Sequence, residues 1–252
     1  MTAAGKIFFE KASRAQDVFR SMEQCATELH DARIHRVRIA AAPLLGCTLI
    51  PLLAYRFMRR YLEMRVELVD LPMSRVQQAV VDGSADLGYG PARDLEAGVT
   101  GELFFETSVH MLSLPQHPLA GEAVSWEQVC KADVIAVGRE SIHYISADVG
   151  GEEDFHVAHT VHHMATAFAL AATGAGIALA GRFPILLARG FGLVATPVYP
   201  VLRRAMLLYR PARQELSSPA ELFVSFTQEY ARRHCLDSLP DDSLTALANT
   251  AG

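Results

Sequence analysis

The sequence predicts an α/β protein in which two similar units follow one long N-terminal helix. In the first 33 residues apolar side chains recur every three or four positions, whereas from residue 36 short apolar runs alternate with helical segments. A glycine closes a helix shortly before a strand in VVDGSADLGYG and again in AATGAGIALAG. With 50% hydrophobic and 20% charged residues, the 252-residue chain has a globular composition, not a disordered or fibrous one.

The N-terminal segment predicts a single continuous helix. Residues 2–33 contain no proline, their only glycine is Gly5, and Thr2 is suited to cap the start. Apolar residues follow at alternating steps of four and three, which is a heptad seam, and this narrow stripe favours pairing with a second helix. Packing on the helix's own domain is the alternative. The seam residues are Phe8, Ala12, Ala15, Phe19, Met22, Ala26 and Leu29.

The first unit predicts the order strand, helix, strand, helix, strand. The strands are Arg36–Ala42, Val66–Leu71 and Ala85–Tyr89, and the helices run from Pro43 to about Tyr61 and from Arg75 to Val81. Pro43 suits a first helical turn, Ser74 is a candidate N-cap, and Gly83 ends the second helix. Strands joined through helices at these spacings form a parallel sheet with right-handed crossovers.

The second unit repeats this alternation less regularly. Its predicted strands are Ser108–Leu114, Asp133–Val137, Phe155–Val161, Gly176–Ala180, Leu193–Pro197 and Arg204–Tyr209. Its predicted helices are a short one capped by Ser125 and running through Cys130, Met164–Thr173, Phe183–Arg189 and Pro219–Arg232. Residues 138–154 are polar and glycine-rich, which predicts a loop, and the polar residues from Asp237 onward predict a mobile tail.

Several function classes find no support in the sequence. A net charge of −5 argues against broad electrostatic binding to nucleic acid. The chain has neither an apolar run of about 18 residues nor a signal-peptide core, which predicts a cytoplasmic protein without membrane contact. Motifs for a nucleophile elbow, a phosphate loop, a zinc protease or a dinucleotide site are absent, so we expect neither an enzyme nor a cofactor. Reduced thiols are predicted for the widely spaced Cys25, Cys47, Cys130 and Cys235.

One histidine cluster resembles a set of metal ligands: His156, His159, His162 and His163. On a strand His156 and His159 lie on opposite faces, and no acidic or cysteine ligand follows at a helical spacing, so we predict no metal. His162 and His163 would enter a helix N-terminus, where imidazoles facing a cleft can donate hydrogen bonds to an anion.

Four segments together resemble the effector-binding part of LysR-type transcriptional regulators. They are RVRIAAAPLLGCTLIPLLAYRFMRRY, VELVDLPMSRVQQAVVDGSADLGYG, HMLSLPQHPLAG and ALAATGAGIALAG. Residues 1–5 are also similar to the opening of that family's linker helix, and the match covers about residues 1–235. The resemblance implies two Rossmann-like lobes of the periplasmic-binding-protein type II-like fold, joined by two crossover strands, with a ligand cleft between them. It also implies that the N-terminal helix is a dimerising linker.

The resemblance further implies a division of the chain and its partners. The expected parts are a linker helix over 1–35, lobe I over 36–106 and 212–236, lobe II over 107–211 and a tail over 237–252. The family's winged helix-turn-helix would precede residue 1, so we expect DNA contact only through that missing domain, and a homodimer or homotetramer of the chain. Two positions depart from the family: Leu62 replaces a usual proline, and Pro43-Leu44-Leu45 stands where a serine or threonine often binds the effector.

The ligand of an open α/β sheet lies beyond the carboxyl ends of the strands. Free amides at Leu44, Leu45 and Arg75 would favour a small anion such as a carboxylate. Arg139 is either a charged contact or a solvated loop residue, and the leucines and methionines would form an apolar wall for an aromatic or branched ligand. The candidate effector-binding residues are Pro43, Leu44, Leu45, Met73, Ser74, Gly90, Pro91, Arg139, Ser141, His162, His163 and Met164.

These features predict a regulatory domain that senses a small molecule, closes around it and relays the closure through the linker helix. A solute-binding protein of a transport system is the alternative, because it shares the fold. Such a protein needs export, and the missing signal segment and the heptad helix oppose it. An enzyme on the same scaffold is a third hypothesis, for which the sequence offers no nucleophile or base.

Overall fold

A computed structural model describes residues 35–149 and 155–234 of the chain. In the N-terminal segment it also describes Thr2, Gly5, Phe9, Lys11, Ala12, Ser13, Gln16, Val18, Phe19 and Met22. Most of the predicted linker helix and the whole predicted tail therefore lie outside the described residues. The described residues form one five-stranded and one six-stranded sheet with helices on them, which confirms the two-lobed α/β architecture.

The strands alternate with helices along most of the chain. The strands are β1 (His35–Ala41), β2 (Met64–Asp70), β3 (Leu87–Pro91), β4 (Val99–Ser108), β5 (His110–Ser113), β6 (Val124–Ser125), β7 (Val134–Val137), β8 (Val157–Val161), β9 (Ile177–Ala180), β10 (Val194–Tyr199) and β11 (Arg203–Pro211). The helices are α1 (Pro43–Gly46), α2 (Leu49–Arg60), α3 (Val76–Val81), α4 (Trp126–Cys130), α5 (Arg139–Val149), α6 (Met164–Ala172), α7 (Ile185–Gly190) and α8 (Ser218–Arg233). Among these helices none is long and apolar enough to cross a membrane.

Each sheet contains a parallel part and an antiparallel part. The first has the order β2-β1-β3-β11-β4, in which β1 pairs parallel with β2 and β3, while β11 runs antiparallel to both of its neighbours. The second has the order β6-β10-β5-β9-β7-β8, in which β7 pairs parallel with β8 and β9. These parallel pairs are those that the strand–helix–strand pattern predicts. The short strand β6 adds a further parallel pair, with β10.

Several elements differ from the sequence prediction. The helix expected from Pro43 to Tyr61 is two helices, because the backbone breaks at Thr48, whose hydroxyl bonds back to the Leu44 carbonyl. A helix, α5, replaces the loop predicted within residues 138–154, and it buries Ile145 in the second lobe. Strands β4 and β6 are not among the predicted strands. In contrast, the predicted cap at Ser125 is confirmed: its hydroxyl accepts a bond from the Gln128 amide at 3.2 Å.

The two lobes are joined where the chain crosses twice between the sheets. Strand β4 continues into β5, and β10 continues into β11; at this point Ser108 pairs with Arg203, and the Val109 amide donates to the Leu202 carbonyl at 3.0 Å. Because β11 lies in the first sheet, the chain returns to lobe I at Arg203. The boundary predicted after residue 211 is therefore too late by the whole length of this strand.

Each lobe has its core on both faces of its sheet. Helices α2 and α8 cover one face of the first sheet through an aromatic cluster in which the Phe57 and Phe223 rings lie 5.0 Å apart, and α3 covers the other face. In lobe II, α6 and α7 pack on one face, while Trp126 and Ile145 from α4 and α5 pack on the other. The central strands β3, β7 and β9 are thus buried between helical layers.

An ion pair ties the start of β3 to β1. Asp86 accepts bonds from the Arg38 amide at 2.6 Å and from its guanidinium at 2.7 Å, and both side chains are about four-fifths buried. We expect Asp86→Ala to lower the free energy of unfolding by about 1.5–3 kcal/mol, because it leaves a charge and an amide without their partner. Urea denaturation measures this loss. Glu67→Ala, which removes the exposed Arg36 pair at 3.5 Å, is the control and should cost less than about 1 kcal/mol. Equal losses would contradict the expectation.

Candidate functional site

The strand register places the carboxyl edges of both parallel sheets on either side of the crossing. In lobe I, β4 runs in the same direction as β3, so Ser108 at the crossing marks the edge where β1, β2 and β3 also end. In lobe II, Ala180 at the end of β9 pairs with His110, the first residue after the crossing. The ends of β7, β8 and β9 therefore face the crossing from the other side. The strand ends at which ligands of open α/β sheets bind therefore border the space between the lobes.

On lobe I, the turn after β1 offers fewer free amides than predicted. The Leu45 amide donates to the Ala42 carbonyl at 2.9 Å, and the Arg75 amide donates to Pro72 at 2.8 Å, so the expectation of free amides at these two residues is wrong. Leu45 is buried in the core of its own lobe, whereas half-buried Leu44 packs against the core of lobe II. This turn therefore presents an apolar surface to the cleft.

The turn after β2 carries Met73 and Ser74. Residues Met73–Arg75 form a 3-10 turn, and Ser74 is exposed and does not cap α3, so the predicted capping role is wrong. Its hydroxyl is therefore available at the cleft edge. The adjacent carboxylate of Asp70 lies near α1, where burial raises the pKa of the Cys47 thiol and the charge of Asp70 adds to this rise. An acidic group makes this part of lobe I unfavourable for an anion.

Two residues that sequence reasoning missed hold this turn in place. Arg93 donates to the Met73 carbonyl at 3.3 Å. The fully buried amide of Gln77 donates to the Asp94 carbonyl at 3.2 Å and accepts from the Glu96 amide at 2.7 Å. The segment after β3 is thereby fixed to α3 and to the turn. A glutamine within a short helix gives no sequence signal for such a role.

Gly90 and Pro91 shape the end of β3 and are buried. A Cβ at Gly90 would lie 3.0 Å from the Tyr209 ring, so the ring can approach only because residue 90 is glycine. The Tyr209 hydroxyl donates to the Pro91 carbonyl. These two predicted site residues form the floor of the lobe I edge and expose little surface to a ligand.

The Tyr209 hydroxyl bond should be measurable in the stability of lobe I. We expect Tyr209→Phe to lower the free energy of unfolding by about 1 kcal/mol, because it removes one buried hydrogen bond without changing the ring. Tyr199→Phe, at an exposed tyrosine, is the matched control and should leave stability unchanged. Chemical denaturation of both variants tests this, and a loss shared by both would contradict it.

On lobe II, the candidate residues lie at the starts of α5 and α6. The Ser141 hydroxyl donates to the Gly138 carbonyl at 3.0 Å, and Met164 is buried in the lobe core. His162 and His163 are exposed just before α6, a nine-residue helix whose start has no side-chain cap. The side chain of Arg139 lies outside the described residues. Uncapped amides and two imidazoles make this the part of the cleft edge best suited to an anion.

The remaining histidines of the cluster do not converge on these two. His156 pairs with Asp133 at 3.0 Å, and His159 lies along the exposed edge strand β8. Over residues 35–149 and 155–234, no group of three or more histidine, cysteine or acidic side chains is arranged to hold a metal ion.

A surface groove of about 610 Å³ lies away from the cleft, between β4, β11 and the start of α8. Its Arg210 pairs with Glu102 at 3.6 Å and with Glu221 at 3.0 Å. The one cation among the described residues that line the groove is thus paired within the protein, and we assign the groove no ligand.

Comparisons with known proteins agree with this architecture. The LysR substrate binding domain family matches residues 30–232. An uncharacterized HTH-type transcriptional regulator of Shigella flexneri, YfeR, is 27% identical over 232 residues, which cover 88% of this chain and 73% of that protein. The effector binding domain of QuiR in complex with shikimate has a TM-score of 0.69 at 13% identity, covering 80% of this chain and 99% of that one. The BenM effector binding domain with its effector benzoate has a TM-score of 0.66 at 16% identity, covering 82% and 96%. The periplasmic-binding-protein type II-like fold is thereby confirmed.

Proposed function

The chain belongs to the LysR substrate binding domain family, and from this premise we propose that it senses a small organic acid bound between its two lobes. The family consists of transcriptional regulators and not of enzymes, and its membership favours sensing over transport. The observation that carries the proposal is the register at the crossing, which turns the carboxyl edges of both parallel sheets toward one cleft.

The two edges differ in chemistry, and this difference supports a ligand with an apolar body and an acidic group. Leu44 and Met73 give lobe I an apolar surface, and Asp70 disfavours an anion there. His162 and His163 stand at the uncapped start of α6 on lobe II. QuiR binds shikimate and BenM binds benzoate, and both ligands are carboxylates, which further supports this class. The acidic group would lie against lobe II and the body against lobe I.

Thermal unfolding with benzoate and shikimate tests the ligand class, with benzamide and shikimate methyl ester as uncharged controls. At 100 times its dissociation constant a ligand adds about 2.7 kcal/mol, which raises the Tm of a domain of this size by about 5–10 °C. We expect this rise for at least one carboxylate and not for its uncharged counterpart. Equal shifts with acid and amide, or product formation, would overturn the proposal.

Two variants test whether the acidic group of the ligand contacts lobe II. His163→Ala should weaken binding of the responding carboxylate by about 10-fold or more, because it removes a hydrogen-bond donor to a charged group. His159→Ala, at another exposed histidine of the same lobe, should bind as the original protein does. A loss in both variants, or in neither, would contradict the placement.

We also propose that the N-terminal segment pairs two copies of the chain and carries the closure signal to a DNA-binding domain outside this sequence. Three predicted seam residues are described and exposed: Ala12, Phe19 at 67% and Met22 at 62% exposure. Apolar side chains that are this exposed support a partner helix. The other predicted seam residues, Phe8, Ala15, Ala26 and Leu29, lie outside the described residues.

Light scattering after gel filtration tests the pairing. Phe19→Asp should convert a dimer at micromolar concentration to a monomer, because the charge would be buried at the seam. Val18→Asp changes a neighbouring exposed residue outside the seam and should remain dimeric. A monomeric original protein, or dissociation by both variants, would contradict the seam.

A further inference from the structure

Apolar side chains reach between the lobes in both directions. Leu44, in the turn after β1 of lobe I, packs against the lobe II cluster that contains Met164 and Phe168. In the opposite direction, Phe183 of lobe II lies within the lobe I core at 3% exposure, with its ring 5.1 Å from that of Phe105. Each contact joins one lobe directly to the other.

The Phe183 contact lies at the hinge. Its partner Phe105 belongs to β4, one of the two crossing strands. Immediately before Phe183, the Arg182 amide donates to the Thr107 hydroxyl of the same strand at 3.0 Å, and a Cβ at Gly181 would lie only 3.0 Å from the Thr107 side chain. Because this contact is formed with the strand that connects the lobes, a change in the angle between them moves it little.

The Leu44 contact lies away from the hinge. It follows β1, which is separated from the crossing strand β11 by β3, so the distance across the sheet is about 10 Å at the usual strand spacing. A rotation about the crossing strands therefore separates Leu44 from lobe II much more than it separates Phe183 from lobe I.

The turn that carries Leu44 is fixed by its own hydrogen bonds. The Leu44 carbonyl accepts the Thr48 hydroxyl, the Gly46 amide donates to Ala42 at 2.9 Å, and the Cys47 amide donates to Pro43 at 3.1 Å. Leu44 is thus held in a defined position toward lobe II and does not reach it through a flexible loop. This rigidity allows one side chain to influence the angle between the lobes.

We propose that Leu44 is an apolar latch that keeps the lobes closed in the absence of a ligand. The contact occupies the same cleft in which we place the effector, so this inference deepens the proposed function, yet the latch itself requires no ligand. Its removal should shift the lobes toward an open arrangement, because the closed state loses an apolar contact that lies off the hinge.

The distance between the lobes in the ligand-free chain tests the latch. Spin labels on noncanonical amino acids at the exposed positions Glu63 in lobe I and Glu122 in lobe II leave the native cysteines untouched. Dilution with unlabelled protein restricts the measured distances to one chain. We expect a single distance population in the original protein and a second, longer population in Leu44→Ala.

Two further variants separate the latch from a general loss of packing. Leu52→Ala truncates another half-buried leucine, which packs on the lobe I core, and should keep the single population. Leu44→Met retains apolar volume at this position and should therefore show the single distance population of the original protein. Unchanged distances in Leu44→Ala, or an equal opening in Leu52→Ala, would overturn the latch. Because no ligand is present, this result is independent of whether benzoate or shikimate binds, so the latch and the proposed function can fail separately.

Discussion

Gly176→Ala is expected to lower the free energy of unfolding by more than about 4 kcal/mol, a loss that few single substitutions cause. Gly176 precedes β9 and has a φ of +147°, and a Cβ at this position would lie 2.2 Å from the Asp133 carbonyl oxygen. That oxygen accepts the Ile177 amide at 2.8 Å, where β7 and β9 begin to pair. Neither backbone can move away without breaking the pairing at the centre of lobe II.

Gly174→Ala provides the matched control two residues earlier. Gly174 also has a positive φ, +83°, but the nearest atom to its Cβ would be a Leu114 methyl carbon at 3.8 Å. Its substitution should therefore cost only the backbone strain, about 1–2 kcal/mol. Denaturation followed by the fluorescence of Trp126, the single tryptophan and a lobe II core residue, measures both variants. Similar losses in the two would show that the clash does not determine the effect.

Phe223→Ala should cost about 3–5 kcal/mol, the usual loss for truncating a buried aromatic residue. Phe223 is fully buried on α8, and its ring lies 5.0 Å from Phe57 and 6.4 Å from Tyr89. Tyr89 is bound to the same helix through a hydroxyl contact with Thr227 at 3.0 Å. Because Tyr89 immediately precedes Gly90 and Pro91, the truncation should also loosen the lobe I edge of the cleft.

Phe191→Ala is the control for this variant, because Phe191 is 40% exposed and contacts Phe168 at the edge of lobe II. The free energy of unfolding should fall by less than about 1.5 kcal/mol in Phe191→Ala, because Phe191 buries a smaller apolar area than Phe223 does. Urea denaturation gives the two values, and hydrogen exchange should show faster opening of the β3 amides only in Phe223→Ala. Unchanged exchange in β3 would contradict the proposed support of the cleft edge.

Local patterns predicted most of the fold because they act through neighbouring residues. The order of strands and helices follows from apolar spacing, and the cap at Ser125 follows from a residue type that bonds three positions ahead. The misses depend on context. The break after α1 comes from a threonine that bonds back to the Leu44 carbonyl, and α5 was hidden within a stretch whose overall composition is polar and glycine-rich.

The outline of the candidate site was predictable, while its internal contacts were not. Parallel strands end at one edge, so the segments bordering the cleft follow from the order of elements alone. Which amides are free depends on turn geometry, and this reversed the expectation for Leu45 and Arg75. The support of Pro91 by Tyr209 joins residues 118 positions apart, and no local pattern encodes such a contact.

The paired crossing strands restrict how the lobes can rearrange. Strands β4 and β11 are antiparallel neighbours: Val99 pairs with Pro211 at one end, and Ser108 pairs with Arg203 at the other. The hydrogen bond from the Val109 amide to the Leu202 carbonyl extends this ladder into the crossing itself. Bending both strands together preserves the ladder, whereas twisting one lobe about the long axis would shear its hydrogen bonds. We therefore expect bending at the crossing to be the softest motion between the lobes, so that lobe closure changes mainly one angle.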